Sequence, residues 1–289
     1  MTAKIMRSAA IISKPEKPEL YRVVPELLDW LHAHHYETVI DEETGVYFRG
    51  HAATPRARIA DADHAFVVVL GGDGTLLSAA RAVAHRMLPI IAVNLGSLGF
   101  LTEVSLLDLY TTLEAVDHGQ CPMEQRSMLH CEVVREGEPL AAFEALNDAV
   151  VNKGALARLV SFDLYIDHHF VSNYLADGVI VATPTGSTAY SLAAGGPILT
   201  PSVDAFVVTP VCPHSLTHRP LVVRDTARME VICRSVDREA FLSIDGQVGV
   251  PVGEGDSVVV SKSTHGVRML RMRKTFFEVL RDKLKWGQR

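Results

Sequence analysis

Residues Phe66 to Ala82, FVVVLGGDGTLLSAARA, pass from an unbroken apolar stretch through a glycine-rich turn into apolar residues at helical spacing. Val67, Val68, Val69 and Leu70 do not alternate with polar residues, the pattern of a strand covered on both faces. Leu76, Leu77, Ala80 and Val83 then fall on one face of a helix. A buried strand, a tight turn and a helix in that order commit the chain to βαβ construction around a parallel sheet. Glycines at 71, 72 and 74 let backbone N–H groups approach an anion at the helix N-terminus, where the dipole also favours negative charge. Asp-Gly pairs also mark hairpins, but a hairpin needs an alternating strand after the turn, and LLSAARAVAH does not alternate. The turn is therefore assigned to phosphate binding by Gly71, Gly72, Gly74 and Thr75, and its carboxylate, Asp73, to chemistry on a hydroxyl.

The same rhythm fills the first hundred residues. Strands are expected at Ala9–Ser13, Thr38–Ile40, Phe66–Leu70 and Ile90–Asn94, with an amphipathic helix over Leu20–His34. A parallel sheet of this kind binds ligands beyond the carboxyl ends of its strands, so the GGDGT turn and the turn Asn94-Leu95-Gly96-Ser97-Leu98-Gly99 should open onto one crevice. From about residue 125 the pattern changes to short alternating runs: Leu129–Val134, Val160–Ile166, Phe170–Tyr174, Val179–Thr183, Phe206–Val208, Arg228–Cys233, Ala240–Ile244 and Ser257–Ser261. The tail, Phe276 to Trp286, returns to helical spacing. The expected fold is an N-terminal α/β domain with a parallel sheet (1–100, plus a returning helix within 270–289) and a C-terminal β-rich, sandwich-like domain (101–269).

The β-rich half carries three polar clusters. Asn147 and Asp148 stand side by side after an apolar stretch, suited to hydrogen-bonding a ribose or a base edge. Pro184-Thr185-Gly186-Ser187-Thr188-Ala189-Tyr190-Ser191 reads as a short helix with Ser187 or Thr188 as N-cap and Gly195 just past its end, its hydroxyls and tyrosine available to line a nucleotide site. Ser243-Ile244-Asp245-Gly246-Gln247 taken alone reads as a hairpin turn.

Composition narrows the partners. A net charge of −6 and 48% hydrophobic residues argue against a general nucleic-acid or anionic-membrane surface. Lys4 and Arg7 precede only the short run Ser8–Ser13, so no signal peptide is expected, and Met87–Thr102 is too short and too interrupted to span a bilayer. A soluble cytoplasmic protein is expected. Cys121, Cys131, Cys212 and Cys233 form no C-x-x-C pair and read as buried free thiols, with no protein-held metal expected. His32, His34 and His35 read as solvated, His168-His169 as a hairpin turn, and Arg219 and Arg224 as surface or phosphate-contacting groups flanking a strand. No serine lies in G-x-S-x-G.

Taken together, GGDGT (71–75), NLGSLGFLTE (94–103), LND (146–148), DGVIVATPTGSTAYSLAAGGP (177–197), CPHSLTHRPLVV (212–223) and DGQ (245–247) resemble the ATP-dependent NAD kinase family over most of the chain. GGDGT alone is shared with diacylglycerol-type lipid kinases; the TPTGSTAYSLAAGGP run is far more specific. The resemblance implies phosphorylation of NAD by ATP with Mg²⁺ to give NADP and ADP, in a homodimer or homotetramer. It makes Asp73 the general base on the adenosine ribose 2′-hydroxyl or, alternatively, a ligand of the Mg²⁺. It places Asp73, Gly74, Asn147, Asp148, Arg158, Leu175, Asp177, Thr188, Ala189, Tyr190, Ser191 and Gln247 against substrate, several of them across a subunit interface. Position 175 is leucine here, whereas some NAD-specific members carry arginine, which implies that NAD is the better substrate and NADH a detectable one. Two rival functions share parts of the pattern. A lipid kinase would share GGDGT without needing the nucleotide-lining run, and a dinucleotide sensor would need the run without Asp73.

Overall fold

The computed structural model describes residues 7–96, 99–102, 104–154, 160–234, 240–270 and 274–286. They group into two compact units, Met1–Gln125 with His265–Arg289, and Arg126–Thr264. Segment 101–125 groups with the first unit, whereas the sequence alone drew the boundary at 100.

The first unit opens β1 (Arg7–Ser13), α1 (Leu20–Ala33), β2 (Tyr36–Asp41), α2 (Glu42–Gly45) and β3 (Ala53–Thr54). It continues through β4 (Phe66–Leu70), α3 (Asp73–Val83), β5 (Pro89–Asn94), β6 (Val104–Ser105) and α4 (Leu109–Asp117). Its strands pair in parallel in the order β5-β4-β1-β2-β3, with Val67 of β4 opposite Ala10 on one side and Ile90 on the other. Every residue of β4 is buried, which accounts for its unbroken apolar run. The helix α1 buries Leu20, Val23, Val24, Leu27, Leu28 and Leu31, the face its spacing defines, against Ile11, Phe66 and Val68 of the sheet core. The strand order reverses between β1 and β4, and Ser13 and Gly71 lie at that switch point, where open α/β sheets bind ligands.

The second unit is reached through β7 (Met123–Arg135) and holds β8 (Glu138–Ala145), β9 (Asp148–Lys153), β10 (Val160–Ile166), β11 (His169–Ala176), β12 (Gly178–Ala182) and α5 (Tyr190–Ala193). After these come β13 (Ala205–Val211), β14 (Leu221–Arg224), β15 (Met229–Cys233), β16 (Ala240–Ile244), β17 (Val248–Val252) and β18 (Ser257–Leu270). One antiparallel sheet runs β14-β13-β12-β9-β16-β17. A second pairs β11, β10, β15 and β18, with β7 and β8 following β18. Leu129, Phe162 and Leu164 from the second sheet and Val181, Phe206 and Leu242 from the first meet in one buried apolar cluster, so the unit is a β-sandwich. Residues Arg268 and Met269 of β18 pair in parallel with β5, and α6 (Phe276–Leu284), started by a Thr275/Glu278 capping box, groups with the first unit. No described helix is long and apolar enough to cross a membrane.

Several expectations need correction. Strands β8 and β9 and helix α4 were not legible as such, whereas β14 is the strand flanked by Arg219 and Arg224, and β17 follows the hairpin turn read at Asp245-Gly246. β8 is rich in Ala and Glu, β17 contains Gly249 and Pro251, and β14 is mostly exposed; both β14 and β17 are edge strands, where irregular composition is tolerated. Neither Ser187 nor Thr188 caps a helix by its side chain; α5 begins after Ala189, whose position carries no side-chain cap, while Gly195 does follow its end at φ +88°. Cys131 and Cys233 are buried and burial pushes their thiols up, that of Cys233 to about 11, but Cys121 is only half-buried and Cys212, at φ +44° just after β13, is exposed.

Candidate active site

Asp73 is the first residue of α3, preceded by Gly72 in extended backbone (φ −101°, ψ −170°). A carboxylate there is favoured by the helix dipole. Its two oxygens are used unequally. Oδ1 accepts the N–H of Leu101 (3.2 Å), the N–H of Thr102 (3.2 Å) and the Thr102 hydroxyl (3.0 Å), whereas Oδ2 accepts, among the described residues, the N–H of Phe100 (2.8 Å). The approach is close enough that a Cβ at Gly99 would stand 1.9 Å from Asp73 Oδ1, so the second turn needs glycine at that point. The GGDGT turn and the turn after β5 thus meet through one side chain. Ser97, Leu98 and Glu103 of that second turn lie outside the described residues.

Sequence reasoning missed the group that holds α3 to the strand ends. Arg56 donates through Nε and Nη2 to Asp41 Oδ2 (2.8 and 2.6 Å), through Nη2 to the Ser13 carbonyl (2.9 Å) and through Nη1 to Ser78 Oγ of α3 (3.0 Å). Asp41 is fully buried. Burial pushes its carboxyl up, against the downward pull of Thr44 and Arg56. Arg56 stands two residues from Arg58 in a segment between two strands, and nothing local marks it for this role.

In the second unit, Asn147, Asp148, Tyr190, Ser243 and Asp245 border a cavity of about 280 Å³. Asp245 sits at φ +50° in the turn between β16 and β17, and its carboxylate accepts the backbone N–H groups of Leu146 (3.2 Å), Asn147 (2.7 Å) and Asp148 (3.2 Å). It is therefore far more than the hairpin residue that the local sequence suggested. Thr183 adds a second grip, donating from its hydroxyl to the Leu146 carbonyl (2.6 Å) and from its N–H to the Asn147 carbonyl (2.9 Å). Gly186 packs so closely that a Cβ would lie 2.0 Å from the Asn147 carbonyl oxygen. Held this way, Asn147 keeps its side-chain Oδ1 buried with no hydrogen-bond partner, and Asp148 is 4% exposed. Burial, then the charge of Asp245, pushes the Asp148 carboxyl up to about 7.

The remaining expected residues divide. Ala189 and Tyr190 line the cavity, and the Tyr190 side chain is exposed. Thr188 is half-buried and donates to the Thr185 carbonyl (3.1 Å). Ser191 is fully buried with its Oγ on Thr209 Oγ1 (2.9 Å), and Ser187 is likewise buried against the Pro184 and Leu199 backbone, so these hydroxyls brace the turn and do not line the cavity. Asp177 pairs with Lys153 (2.8 Å), Gln247 is exposed on the β16–β17 turn, and Leu175 is exposed on the edge strand β11; none of the three lines the cavity. Arg158 lies outside the described residues. Among the described residues no group of three or more His, Cys, Asp and Glu side chains is arranged to hold a metal ion.

Residues 9–121 match the family model for the ATP-NAD kinase N-terminal domain, and residues 146–272 that for the ATP-NAD kinase C-terminal domain. The NAD kinase of Koribacter versatilis is 59% identical over 284 residues, covering 98% of this chain and 100% of the relative. That of Acidobacterium capsulatum is 52% identical over 285 residues with the same coverage. Among solved structures, a yeast NADH kinase complexed with NADH is similar with a TM-score of 0.87 at 26% identity, covering 98% of this chain and 89% of that one. An NAD kinase from Archaeoglobus fulgidus in complex with ATP is similar with a TM-score of 0.77 at 26% identity, covering 96% and 98%.

Proposed function

Since the chain belongs to the ATP-NAD kinase family, we propose that it transfers the γ-phosphoryl group of ATP to the 2′-hydroxyl of the adenosine ribose of NAD, giving NADP and ADP. The observation that carries this reading is the cavity beside Asn147 and Asp148. A buried amide oxygen without a partner, next to a buried carboxylate and under an exposed tyrosine ring, is matched by an adenine amino group, ribose hydroxyls and a base face respectively. A diacylglycerol offers one hydroxyl but neither an aromatic amino group nor a flat base face.

Asp73 acts as the general base. A ribose hydroxyl is a weak nucleophile at neutral pH, and a carboxylate that takes its proton as the bond to phosphorus forms contributes about 10²- to 10⁴-fold. Oδ2, with one donor among the described residues, retains an acceptor position for that proton. The start of α3 at Gly71, Gly72, Gly74 and Thr75 receives the phosphates, and positioning with charge stabilisation supplies most of the remaining rate. Mg²⁺ enters as part of the ATP substrate, where it would neutralise charge on the triphosphate.

Arg158, Asp177, Ser191, Thr188 and Gln247 complete the substrate contacts or brace them, in part across a subunit interface of a cytoplasmic homodimer or homotetramer. The exposed apolar residues Phe170, Val171 and Leu175 on edge strand β11 support assembly. The test is incubation with ATP, Mg²⁺ and either NAD or diacylglycerol, with NADP followed by a coupled dehydrogenase and lipid phosphorylation by radiolabel. NADP formation without lipid product is expected. Lipid product alone would replace the reading with a lipid kinase, and NAD binding without turnover would replace it with a sensor.

A further inference from the structure

The unequal use of the two Asp73 oxygens has a cause that reaches back into the sheet. Of the three donors on Oδ1, two are backbone N–H groups and one is a side chain, the hydroxyl of Thr102, which is fully buried. The direction of that hydroxyl is set from behind. Gly96 donates its N–H to Asn94 Oδ1 at 2.6 Å, which turns the Asn94 amide nitrogen toward Thr102, and this Nδ2 donates to Thr102 Oγ1 at 2.8 Å. A hydroxyl that already accepts from an amide places its own hydrogen on the remaining neighbour, and that neighbour is Asp73 Oδ1. Asn94 ends β5 and is itself buried, so the relay Asn94 to Thr102 to Asp73 is anchored in the sheet and shielded from water.

We propose that Thr102 is a positioning residue for the phosphoryl transfer, with Asn94 behind it: its hydroxyl pins Oδ1 of Asp73 and so leaves Oδ2 as the oxygen that faces the reacting hydroxyl. The proposal rests on the reading of Asp73 as the base. Three donors on one oxygen and one on the other, among the described residues, fix the carboxylate's rotation, and the hydroxyl is the one donor on Oδ1 that a side-chain substitution removes. Misplacing a base costs turnover and leaves ground-state binding untouched.

Thr102→Val keeps the shape and deletes the hydroxyl. It is expected to lower kcat about tenfold with KM for NAD and for ATP within about twofold, and Thr102→Ser should return kcat to within about twofold of wild type. If Thr102→Val does not fold, Asn94→Ala carries the test, with kcat lowered about three- to fivefold and KM again unchanged. Asp73→Asn is assayed beside them. An inactive Asp73→Asn with Thr102→Val at wild-type kcat overturns the proposal and leaves the Asp73 reading standing. Near-normal kcat in Asp73→Asn overturns both. A Thr102→Ser variant as impaired as Thr102→Val, or a raised KM with unchanged kcat, assigns Thr102 to packing or binding and overturns the positioning role.

Discussion

The carboxylates of Asp73 and Asp148 sit in opposite surroundings. Asp73 begins a helix and is met by four donors from one neighbouring turn. Asp148 begins a strand, is buried, and has a second carboxylate, Asp245, beside it that draws away the local backbone N–H groups, including its own. One site collects hydrogen-bond donors around a charge, and the other crowds two acids where water is scarce. The two acids therefore suit different tasks: Asp73 is held in one orientation, as the proposed proton transfer requires, while Asp148 changes charge near neutrality and can respond to a ligand that brings hydroxyl donors.

The contrast breaks most visibly at Asp73. Asp73→Asn keeps the shape of the side chain and removes the base, so kcat should fall by about 10²- to 10⁴-fold while NAD affinity, read by calorimetry, stays within a small factor. Activity close to wild type would remove Asp73 from the chemistry. Asp148→Ala should do the reverse and act on binding. Loss of a charge-assisted partner for the ribose hydroxyls, worth about 1.5–3 kcal/mol, weakens NAD about 10- to 100-fold, and an unchanged calorimetric Kd would place the adenosine elsewhere.

A smaller effect comes from pH. The Asp148 carboxyl, raised from 3.8 to about 7, stays protonated in the folded chain across a range where the unfolded chain has released that proton. Its contribution to stability therefore falls as pH rises from about 4 to about 7 and levels off above. Denaturant unfolding at pH 5 and pH 8 should show that loss in wild type and much less of it in Asp148→Asn. NAD binding runs the other way, tightening by up to about tenfold between pH 6 and 8 as the carboxylate forms. Asp245→Asn keeps an oxygen for the N–H groups of Asn147 and Asp148 and removes the neighbouring charge, so it should flatten both dependences. Equal slopes in wild type and Asp245→Asn would show that burial alone sets the Asp148 titration.

The smallest expected effect lies at the nicotinamide end. The resemblance puts position 175 near the nicotinamide; on that reading Leu175, exposed on β11, brings no charge and so no means of favouring the cationic oxidised ring over the neutral reduced one. NADH should be phosphorylated at a detectable rate below that of NAD, and Leu175→Arg should lower the NADH rate about two- to fivefold more than the NAD rate. The readout is NADPH formed from NADH, and no product from wild type would move discrimination to another residue.

Much of the first unit was legible because its signals are local. An apolar run, three glycines and a helical stripe within seventeen residues specified β4, its turn and α3 without reference to the rest of the chain. The second unit's site was legible only in pieces. Asn147 and Asp148 read as a pair suited to a ribose or base edge, but not as the start of a strand, because β9, which Asp148 begins, is a short apolar run with polar ends. Asp245 lies 97 residues from Asp148, and nothing in Ser-Ile-Asp-Gly-Gln distinguishes an exposed hairpin from one whose carboxylate binds a distant backbone. Arg56 was invisible for the same reason: its partners, Ser13, Asp41 and Ser78, are brought together by the parallel sheet and by nothing in the neighbouring sequence. The hydroxyl-rich run was read as lining for a nucleotide site, but which of its hydroxyls turn inward depends on contacts with Leu199 and Thr209, beyond the run itself.

The parallel pairing of Arg268 and Met269 with Pro89 and Ile90 also bears on how the protein is made. During synthesis, the first hundred residues leave the ribosome with the start of β5 still lacking this neighbour, which emerges only after the whole β-sandwich sequence has been translated. An open apolar strand edge is a template for pairing with other chains. The interval between residues 94 and 268 is thus a period of exposure for the nascent chain, longer when translation slows within the sandwich, and the return of β18 ends it.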